Sequence, residues 1–172
     1  MKDFKVLLVD DEEDFVRSLA ERIEMRDVRP DVALDGEEAL EKIRREAPDV
    51  MVLDLKMPGM HGLEVLEKVK KAFPDLQVVI LTGHGTTRDE DDARRLGAYA
   101  YLKKPVALDK LMQTVTEAYR HKVELTMAAS ALAEGGDFDS AREMLDRQEA
   151  EKRKRKDKGK DKDKDKDKKK KP

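Results

Sequence analysis

The sequence predicts an α/β fold with a parallel sheet, because short apolar runs alternate with segments of helical periodicity five times within residues 1–121. The third and fourth apolar runs are nearly uninterrupted, which is typical of strands buried on both faces. Pro30 lies within the second run, and a proline inside a strand indicates the edge of a sheet. Together these observations predict five strands with helices on both faces and with the second strand at an edge.

Each predicted element follows from a local pattern of apolar residues. The predicted strands are residues 4–9, 28–34, 49–53, 77–81 and 99–102. The predicted helices are residues 12–26, 36–46, 62–73, 87–96 and a fifth that follows Pro105 and carries Leu108, Leu111, Met112 and Val115. With right-handed crossovers, this order predicts a doubly wound, flavodoxin-like (βα)5 sheet with strand order 2-1-3-4-5.

The pattern changes beyond residue 121, so we predict three regions. Residues 1–121 form the α/β domain. Residues 122–150 form a helical extension, with helix-forming residues at 123–133, a break at Gly135-Gly136 and a short helix ending near 150. This hairpin is too small for a core of its own, and it packs on the domain, extends the fifth helix or pairs with a second copy. Residues 151–172 alternate lysine and aspartate, and we predict that they are disordered.

Charge is divided unevenly between the body and the tail. The chain is 44% charged with a net charge of −2, but residues 151–172 hold 14 basic and 6 acidic side chains, a net charge of +8. The first 150 residues therefore carry a net charge of −10. The tail is either a solvated, flexible end or an electrostatic tether to a polyanion such as nucleic acid, anionic lipid or an acidic protein.

Several function classes are disfavoured by what the sequence lacks. There is no cysteine, so disulfides and thiolate metal sites are excluded. No apolar stretch approaches the ~20 residues of a transmembrane helix, and the apolar run near the N-terminus is too short for a signal peptide. We therefore expect a cytoplasmic protein. No folded DNA-binding domain and no ATPase module is recognisable after the α/β domain.

Chemically active side chains gather at the predicted strand ends. Asp10-Asp11 follows the first strand, Asp54 the third, Thr82 the fourth and Lys103-Lys104 the fifth. Ligands of an open parallel sheet bind outside the carboxyl ends of its strands, so these residues are expected to share one edge. A single aspartate there is usually a helix cap, but matching residues at four strand ends favour a functional site.

The residue types at this edge suit phosphoryl chemistry. Three crowded carboxylates repel one another unless a cation joins them, and oxygen ligands suit Mg²⁺. A carboxylate can attack phosphorus to give an acyl phosphate. A lysine and a metal ion supply the positive charge that a transferring phosphoryl group needs. Spacing alone leaves Lys103 and Lys104 as equal candidates.

Four motifs resemble the receiver domains of two-component response regulators, over about residues 3–121. The motifs are Val9-Asp10-Asp11-Glu12, Asp54-Leu55-Lys56-Met57-Pro58-Gly59-Met60-His61-Gly62, Leu81-Thr82-Gly83 and Tyr101-Leu102-Lys103-Lys104-Pro105. The chain is thereby identified as a CheY-like receiver of the stand-alone type with a short C-terminal extension.

The resemblance implies a role for each site residue. Asp54 would be the phosphoacceptor, with Mg²⁺ as cofactor held by Asp10, Asp11, Asp54 and the backbone carbonyl of Lys56. Thr82 would bind the phosphoryl group, Lys104 rather than Lys103 would pair with it, and a cis Lys104–Pro105 bond is expected.

The resemblance also implies a switch and a set of partners. Thr82 would move toward the phosphoryl group while Tyr101 turns inward, and the fourth helix, fifth strand and fifth helix would form the output face. The expected phosphodonor is a sensor histidine kinase or a histidine phosphotransfer protein, and the output is contact with an unknown downstream protein. We also expect Lys56 and His84 to influence the lifetime of the phosphoryl group.

Two alternatives stay open. The resemblance describes a switch with slow self-dephosphorylation rather than an enzyme, whereas a Mg²⁺-dependent phosphohydrolase with an aspartyl nucleophile would use a similar site. Such enzymes place a second aspartate two residues after the nucleophile, where this chain has Lys56. A nucleotide- or flavin-binding module would need a phosphate-cradling loop after the first strand, where this chain has five acidic residues in a row, 10–14.

Overall fold

The computed structural model describes residues 4–134, in which five strands alternate with five helices. The strands are β1 (Phe4–Val9), β2 (Val28–Ala33), β3 (Val50–Leu53), β4 (Gln77–Thr82) and β5 (Ala100–Lys103). The helices are α1 (Glu13–Glu24), α2 (Gly36–Arg45), α3 (Gly62–Ala72), α4 (Thr87–Arg95) and α5 (Leu108–Glu134). All strands are parallel and their order is β2-β1-β3-β4-β5, so the predicted fold class is confirmed.

The register of the sheet aligns the strand ends that carry the site. Val9 of β1 is opposite Leu53 of β3, and Leu53 is opposite Ile80 of β4. Thr82, the last residue of β4, is opposite Lys103. The residues that follow β1 and β3 therefore emerge side by side at the carboxyl edge of the sheet.

The core has two layers, one on each face of the sheet. Alternate residues of a strand point to opposite faces. Leu7 and Val9 of β1 therefore join the core beneath α2, α3 and α4, while Val6 and Leu8 join the core beneath α1 and α5. Because β1, β3 and β4 are covered on both faces, their sequences are almost entirely apolar.

Strand β2 lies at an edge, as Pro30 predicts. Its residues are more exposed than those of its neighbour β1 or of β3. Lys42 of α2 covers part of the strand. The Lys42 ammonium donates to the Asp31 carboxylate at 2.8 Å and to the Val32 carbonyl at 2.5 Å. A charged side chain over an edge discourages pairing with another chain.

Helix α4 combines a capped first turn with few contacts to the core. Thr86 and Asp89 form a reciprocal capping box, in which each side chain accepts from the backbone of the other. The core anchors are those that the sequence indicates, since Ala93 is buried and Leu96 is partly buried against the same core. The exposed remainder of α4 carries ion pairs along the helix, between Arg94 and Glu90 and between Arg95 and Asp92.

The fifth helix is longer than the α/β domain requires. It runs without a break from Leu108 to Glu134, so the helix-forming residues 123–133 extend it. The chain divides into two units, residues 1–123 and 124–172. The predicted second helix of the hairpin and the tail at 151–172 lie outside the described residues, and the predicted boundary at 121 stays a prediction.

Some element boundaries differ from prediction by a residue or two. Strand β5 begins at Ala100 and ends at Lys103, one residue later than the apolar run suggests, because it pairs with β4 as far as Thr82.

Among residues 4–134, none of the helices is long and apolar enough to cross a membrane.

Candidate functional site

Backbone hydrogen bonds carry the sheet one residue beyond β1 and β3. The Asp54 N–H donates to the Val9 carbonyl at 3.0 Å, and the Asp10 N–H donates to the Ala33 carbonyl at 3.1 Å. These bonds fix the backbone from which the Asp10 and Asp54 side chains project. The carboxylates are therefore placed by the rigid part of the fold and not by a loose loop.

Three carboxylates meet at this edge, as predicted. One oxygen each of Asp10, Asp11 and Asp54 lies within 4.8 Å of the others, and Asp10 and Asp54 are buried while Asp11 is exposed. Oδ1 of Asp54 is buried without a hydrogen-bond partner. Such an arrangement costs free energy unless a cation binds, and an all-oxygen donor set fits a hard divalent ion. The cluster could therefore hold a metal ion.

Lys104 provides the positive charge at the site. Its ammonium donates to Oδ2 of Asp10 at 2.5 Å and to Oε1 of Glu12 at 3.3 Å, and it lies 4.3 Å from the centroid of the Phe15 ring. Lys103, by contrast, is exposed at the end of β5. The structure thus separates two lysines that spacing could not, and the Lys104–Pro105 bond is cis as expected.

Burial and neighbouring charges together set the pKa values of Asp10 and Lys104. Burial raises the pKa of Asp10 above its usual value, although the hydrogen bond from Lys104 opposes this change. Burial alone would lower the pKa of Lys104, but the adjoining carboxylates of Asp10, Asp54 and Glu12 outweigh it and raise that pKa. The lysine therefore stays charged, while the Asp10 carboxylate is in an environment that favours an additional cation.

Thr82 is the last residue of β4, at the same edge of the sheet as the three carboxylates. It is almost fully buried, with 1% of its surface exposed. Its hydroxyl oxygen accepts a long hydrogen bond of 3.5 Å from the backbone N–H of His84. The His84 and Lys56 side chains are both exposed. The structure therefore leaves these two residues at the solvent side of the site.

Tyr101 points into the protein. Its ring packs against the core beneath α2, α3 and α4, and its hydroxyl is buried without a hydrogen-bond partner. A Cβ atom on Gly85 would lie 1.6 Å from that hydroxyl, so only glycine leaves the space that it fills. Burial raises the pKa of Tyr101, and the negative charges of Asp89, Glu90 and Asp54 raise it further.

Gly62 lets α3 approach the backbone that carries Asp54. A Cβ atom on this residue would lie 2.3 Å from the Asp54 carbonyl oxygen and 2.6 Å from Cα of Leu55. The Gly62 N–H instead donates to the Leu55 carbonyl at 2.9 Å. The first residue of α3 therefore closes the loop after β3 against the start of the helix.

The sequence profile of the response regulator receiver domain matches residues 6–116, a span that includes every residue of the site. The chain belongs to this family. A solved receiver domain protein (CheY-like) from Methanospirillum hungatei JF-1 is similar, with a TM-score of 0.69, 28% sequence identity and coverage of 70% of this chain and 97% of that one. As a receiver domain, the chain is part of two-component signalling.

Curated relatives of this receiver domain are longer proteins. The response regulator MprA of Mycobacterium ulcerans (strain Agy99) is 34% identical over 130 residues, which is 75% of this chain and 56% of the relative. A putative response regulator, NtrX-like, of Rickettsia conorii (strain ATCC VR-613 / Malish 7) is 36% identical over 120 residues, which is 69% of this chain and 25% of the relative. The chain thus spans between a quarter and just over half of these two proteins.

Sequence reasoning missed three residues of the site. Glu12 and Phe15 contact Lys104, and Gly85 makes room for Tyr101. Glu12 adjoins the aspartate pair, which was a usable signal. Phe15 has the helical spacing of a core residue and Gly85 stands in a glycine-rich loop, so neither carried a sequence signal of its own.

Proposed function

We propose that this receiver domain is a phosphoacceptor switch in which Asp54 takes a phosphoryl group from a histidine of a sensor kinase or a histidine phosphotransfer protein. The observation that carries the proposal is the Asp54 carboxylate itself, buried at a strand end with Oδ1 unpartnered beside two further carboxylates. A buried polar atom without a partner is costly, and a ligand that satisfies it offsets that cost.

The proposed reaction replaces one bond to phosphorus by another. An oxygen of the Asp54 carboxylate forms a bond to phosphorus as the bond from phosphorus to the donor imidazole nitrogen breaks. The imidazole keeps the electron pair and takes up a proton, and the product is an acyl phosphate. The rigid backbone on both sides of Asp54 orients the attacking oxygen, which is a substantial part of catalysis by positioning.

Asp10, Asp11 and Asp54, with the backbone carbonyl of Lys56, are the residues that would hold Mg²⁺. When bound, Mg²⁺ would supply positive charge beside the phosphoryl oxygens. The fit rests on the donor chemistry of this cluster and on the position of its carboxylate oxygens within 4.8 Å of one another. The Asp10 carboxylate already accepts from Lys104, so it can share its charge between two cations.

Lys104 and Thr82 would bind the new phosphoryl group, and the position of the Tyr101 ring would change when the group is present. Lys104 pairs with charge on the group, while the Thr82 hydroxyl turns to donate to one of its oxygens. A shift of Thr82 changes the space available to the partly buried Tyr101 ring, which lies against the same loop. The output face would then be α4, β5 and α5, which contact a downstream protein.

We propose that the protein acts as a signalling switch and not as an enzyme that turns over a substrate rapidly. A phosphohydrolase that uses the same nucleophile would need an acid or base near the leaving group, and the residue two positions after Asp54 is Lys56, whose side chain is exposed. We propose instead that Lys56 and His84, at the solvent side of the site, influence how fast water removes the phosphoryl group.

Intact-protein mass spectrometry tests the proposal. The chain is incubated with acetyl phosphate, with and without Mg²⁺, and a single phosphoryl addition that requires Mg²⁺ is expected. Asp54→Asn should abolish the addition, whereas Asp91→Asn, at an exposed position of α4, should leave it intact. Addition that persists in Asp54→Asn, or release of many equivalents of inorganic phosphate per chain each minute, would refute the assignment.

A further inference from the structure

The Lys104 ammonium is held entirely from one side of the site. Its three described contacts, to Asp10, Glu12 and Phe15, all come from the loop after β1 and the first turn of α1. The Lys104 side chain is only 15% exposed, and the carboxylate of its closest partner, Asp10, is 5% exposed. The orientation of this lysine is therefore fixed by residues 10–15, and Oδ1 of Asp54 is left without a partner.

Phe15 does not belong to the core face of α1. Val16, Leu19 and Ile23 form that face, with 1%, 8% and 0% of their surfaces exposed. Phe15 is 36% exposed, although a phenylalanine on this amphipathic helix would gain more free energy if it were buried. Its position is explained by the lysine instead, because the ammonium lies 4.3 Å from the ring centroid, inside the ~6 Å range of a cation–π contact.

The ring also borders the space next to the phosphoacceptor. Phe15 lines a small, partly open cavity together with Asp54, Val9 and Leu81. An apolar ring beside a charged pair lowers the local dielectric constant and strengthens the electrostatic interaction within the pair. Phe15 is thus in contact with Lys104 on one side and next to the Asp54 cavity on the other.

We infer that Phe15 is a positioning residue, whose ring face holds the Lys104 ammonium where it can pair with a phosphoryl group on Asp54. The inference rests on the proposed function above. The Asp10 and Glu12 carboxylates attract Lys104 by charge and compete with an incoming phosphoryl group for it. The ring is uncharged, so it restricts the lysine without adding a competing anion.

Two substitutions distinguish the effect of the aromatic face of Phe15 from the effect of an apolar side chain at this position. Phe15→Leu keeps an apolar side chain but removes the π face, and Phe15→Tyr keeps the π face. Met25→Leu, at an 86% exposed position after α1, is the matched control for changing an exposed apolar residue. Each variant is first compared with the unmodified protein by urea unfolding, so that a change in fold is recognised.

The first readout is structural and needs no phosphorylation. A proton above an aromatic ring is shifted upfield, so the ε-methylene protons of Lys104 should have upfield NMR shifts in the unmodified chain and in Phe15→Tyr. The shift should vanish in Phe15→Leu, while the exposed Lys103 should not change in any variant. An unmodified chain in which the Lys104 protons have ordinary shifts would overturn the inference.

The second readout is the rate of phosphorylation by acetyl phosphate at saturating Mg²⁺. Loss of one partly exposed cation–π contact predicts a rate about two- to fivefold lower in Phe15→Leu, with the rate restored in Phe15→Tyr and unchanged in Met25→Leu. Equal rates in all variants, or an equal loss in Leu and Tyr variants, would overturn the inference. If even the unmodified chain takes no phosphoryl group, the proposed function fails, and the NMR shifts still decide whether Phe15 holds Lys104.

Discussion

Two aspartates flank the four-residue strand β3, and their environments are opposite. Asp49 precedes the strand, and both of its carboxylate oxygens are partnered: Oδ2 accepts from the Lys5 N–H at 2.9 Å and Oδ1 from the Lys122 ammonium at 2.8 Å. Asp54 follows the strand, and its Oδ1 is buried with no partner. The same residue type therefore joins α5 to the sheet at the amino edge and is left available at the carboxyl edge.

The difference distinguishes a carboxylate whose two oxygens both have partners from one that has a buried oxygen without a partner. At the amino edge Asp49 is paired with Lys122, and Glu46 is paired with Lys5. At the carboxyl edge Asp10, Asp11 and Asp54 lie close together, and Asp10 is the one of these three that forms an ion pair within the described residues, with Lys104. A deficit of positive charge in a rigid setting is what the proposed binding of a cation and a phosphoryl group requires of this edge.

The largest expected effect is the stabilisation of the folded chain by Mg²⁺, which should depend on Asp54 and not on Asp49. At a Mg²⁺ concentration about 100 times its dissociation constant, the free energy of unfolding of the unmodified chain should rise by about 2.7 kcal/mol. Asp54→Asn should lose most of this rise and Asp49→Asn should keep it, because only Asp54 belongs to the carboxylate cluster. Urea unfolding with and without Mg²⁺ measures the effect, and equal Mg²⁺ responses in the two variants would remove the basis of the comparison.

The next effect concerns stability without metal. Asp49→Ala should lower the free energy of unfolding by about 1–2 kcal/mol, because it leaves the Lys5 N–H and the Lys122 ammonium without this acceptor. Asp91→Ala, on the exposed face of α4, is the control and should change it by less than about 0.5 kcal/mol. Metal-free urea denaturation measures both. A loss in Asp49→Ala no greater than in the control would mean that the amino-edge contacts contribute nothing.

A more local effect is expected at Tyr101. Gly85→Ala places a Cβ atom where the Tyr101 hydroxyl lies, so the ring should turn outward and its raised pKa should fall toward the usual 10.0. The buried hydroxyl keeps its proton to higher pH than an exposed one, so the outward ring should ionise at lower pH. A pH titration followed by NMR of ¹³Cζ-labelled tyrosine resolves Tyr101 from the other tyrosines.

Gly83→Ala is the matched control for that titration. A Cβ atom there would lie 3.8 Å from Cβ of Lys104, an ordinary contact, so the pKa of Tyr101 should not change. Equal pKa values of Tyr101 in the Gly85 variant and the unmodified chain would show that Gly85 does not control the ring.

The smallest effect is expected at Glu12. Its carboxylate is 65% exposed and 3.3 Å from the Lys104 ammonium, so its attraction is weakened by solvent. Glu12→Gln should change the phosphorylation rate less than twofold at about 0.15 M salt, and the difference should shrink further as salt is added. Stopped-flow kinetics at two ionic strengths checks this, and a change larger than that of Phe15→Leu would place the control of Lys104 with Glu12.

Most of the fold and the main site residues were predictable because topology determines them. Buried parallel strands need apolar sequences, and the residues directly after β1, β3 and β4 must meet at one edge. Asp10, Asp11 and Asp54 therefore follow from the sequence once the strands are located. Pro30 identified the edge strand for a similarly local reason.

The contacts of Lys104 could not be predicted, since they join side chains distant in the chain. Asp10 and Lys104 are 94 residues apart. Spacing alone did not distinguish Lys104 from Lys103, and only the family resemblance favoured Lys104. The space at Gly85 exists only in relation to the Tyr101 ring. The length of α5 was left open because helix propensity at 123–133 does not reveal whether a helix continues or restarts.

Locating the phosphoryl group on the chain tests the proposed role of Asp54 most directly. Borohydride reduces an aspartyl phosphate to homoserine, so the phosphorylated protein is reduced, digested and sequenced by mass spectrometry. We expect homoserine at position 54 and unmodified aspartate at position 49, with no homoserine when Mg²⁺ is omitted. Homoserine at 49, 10 or 11, or a phosphoryl group found on a histidine of this chain instead, would contradict it.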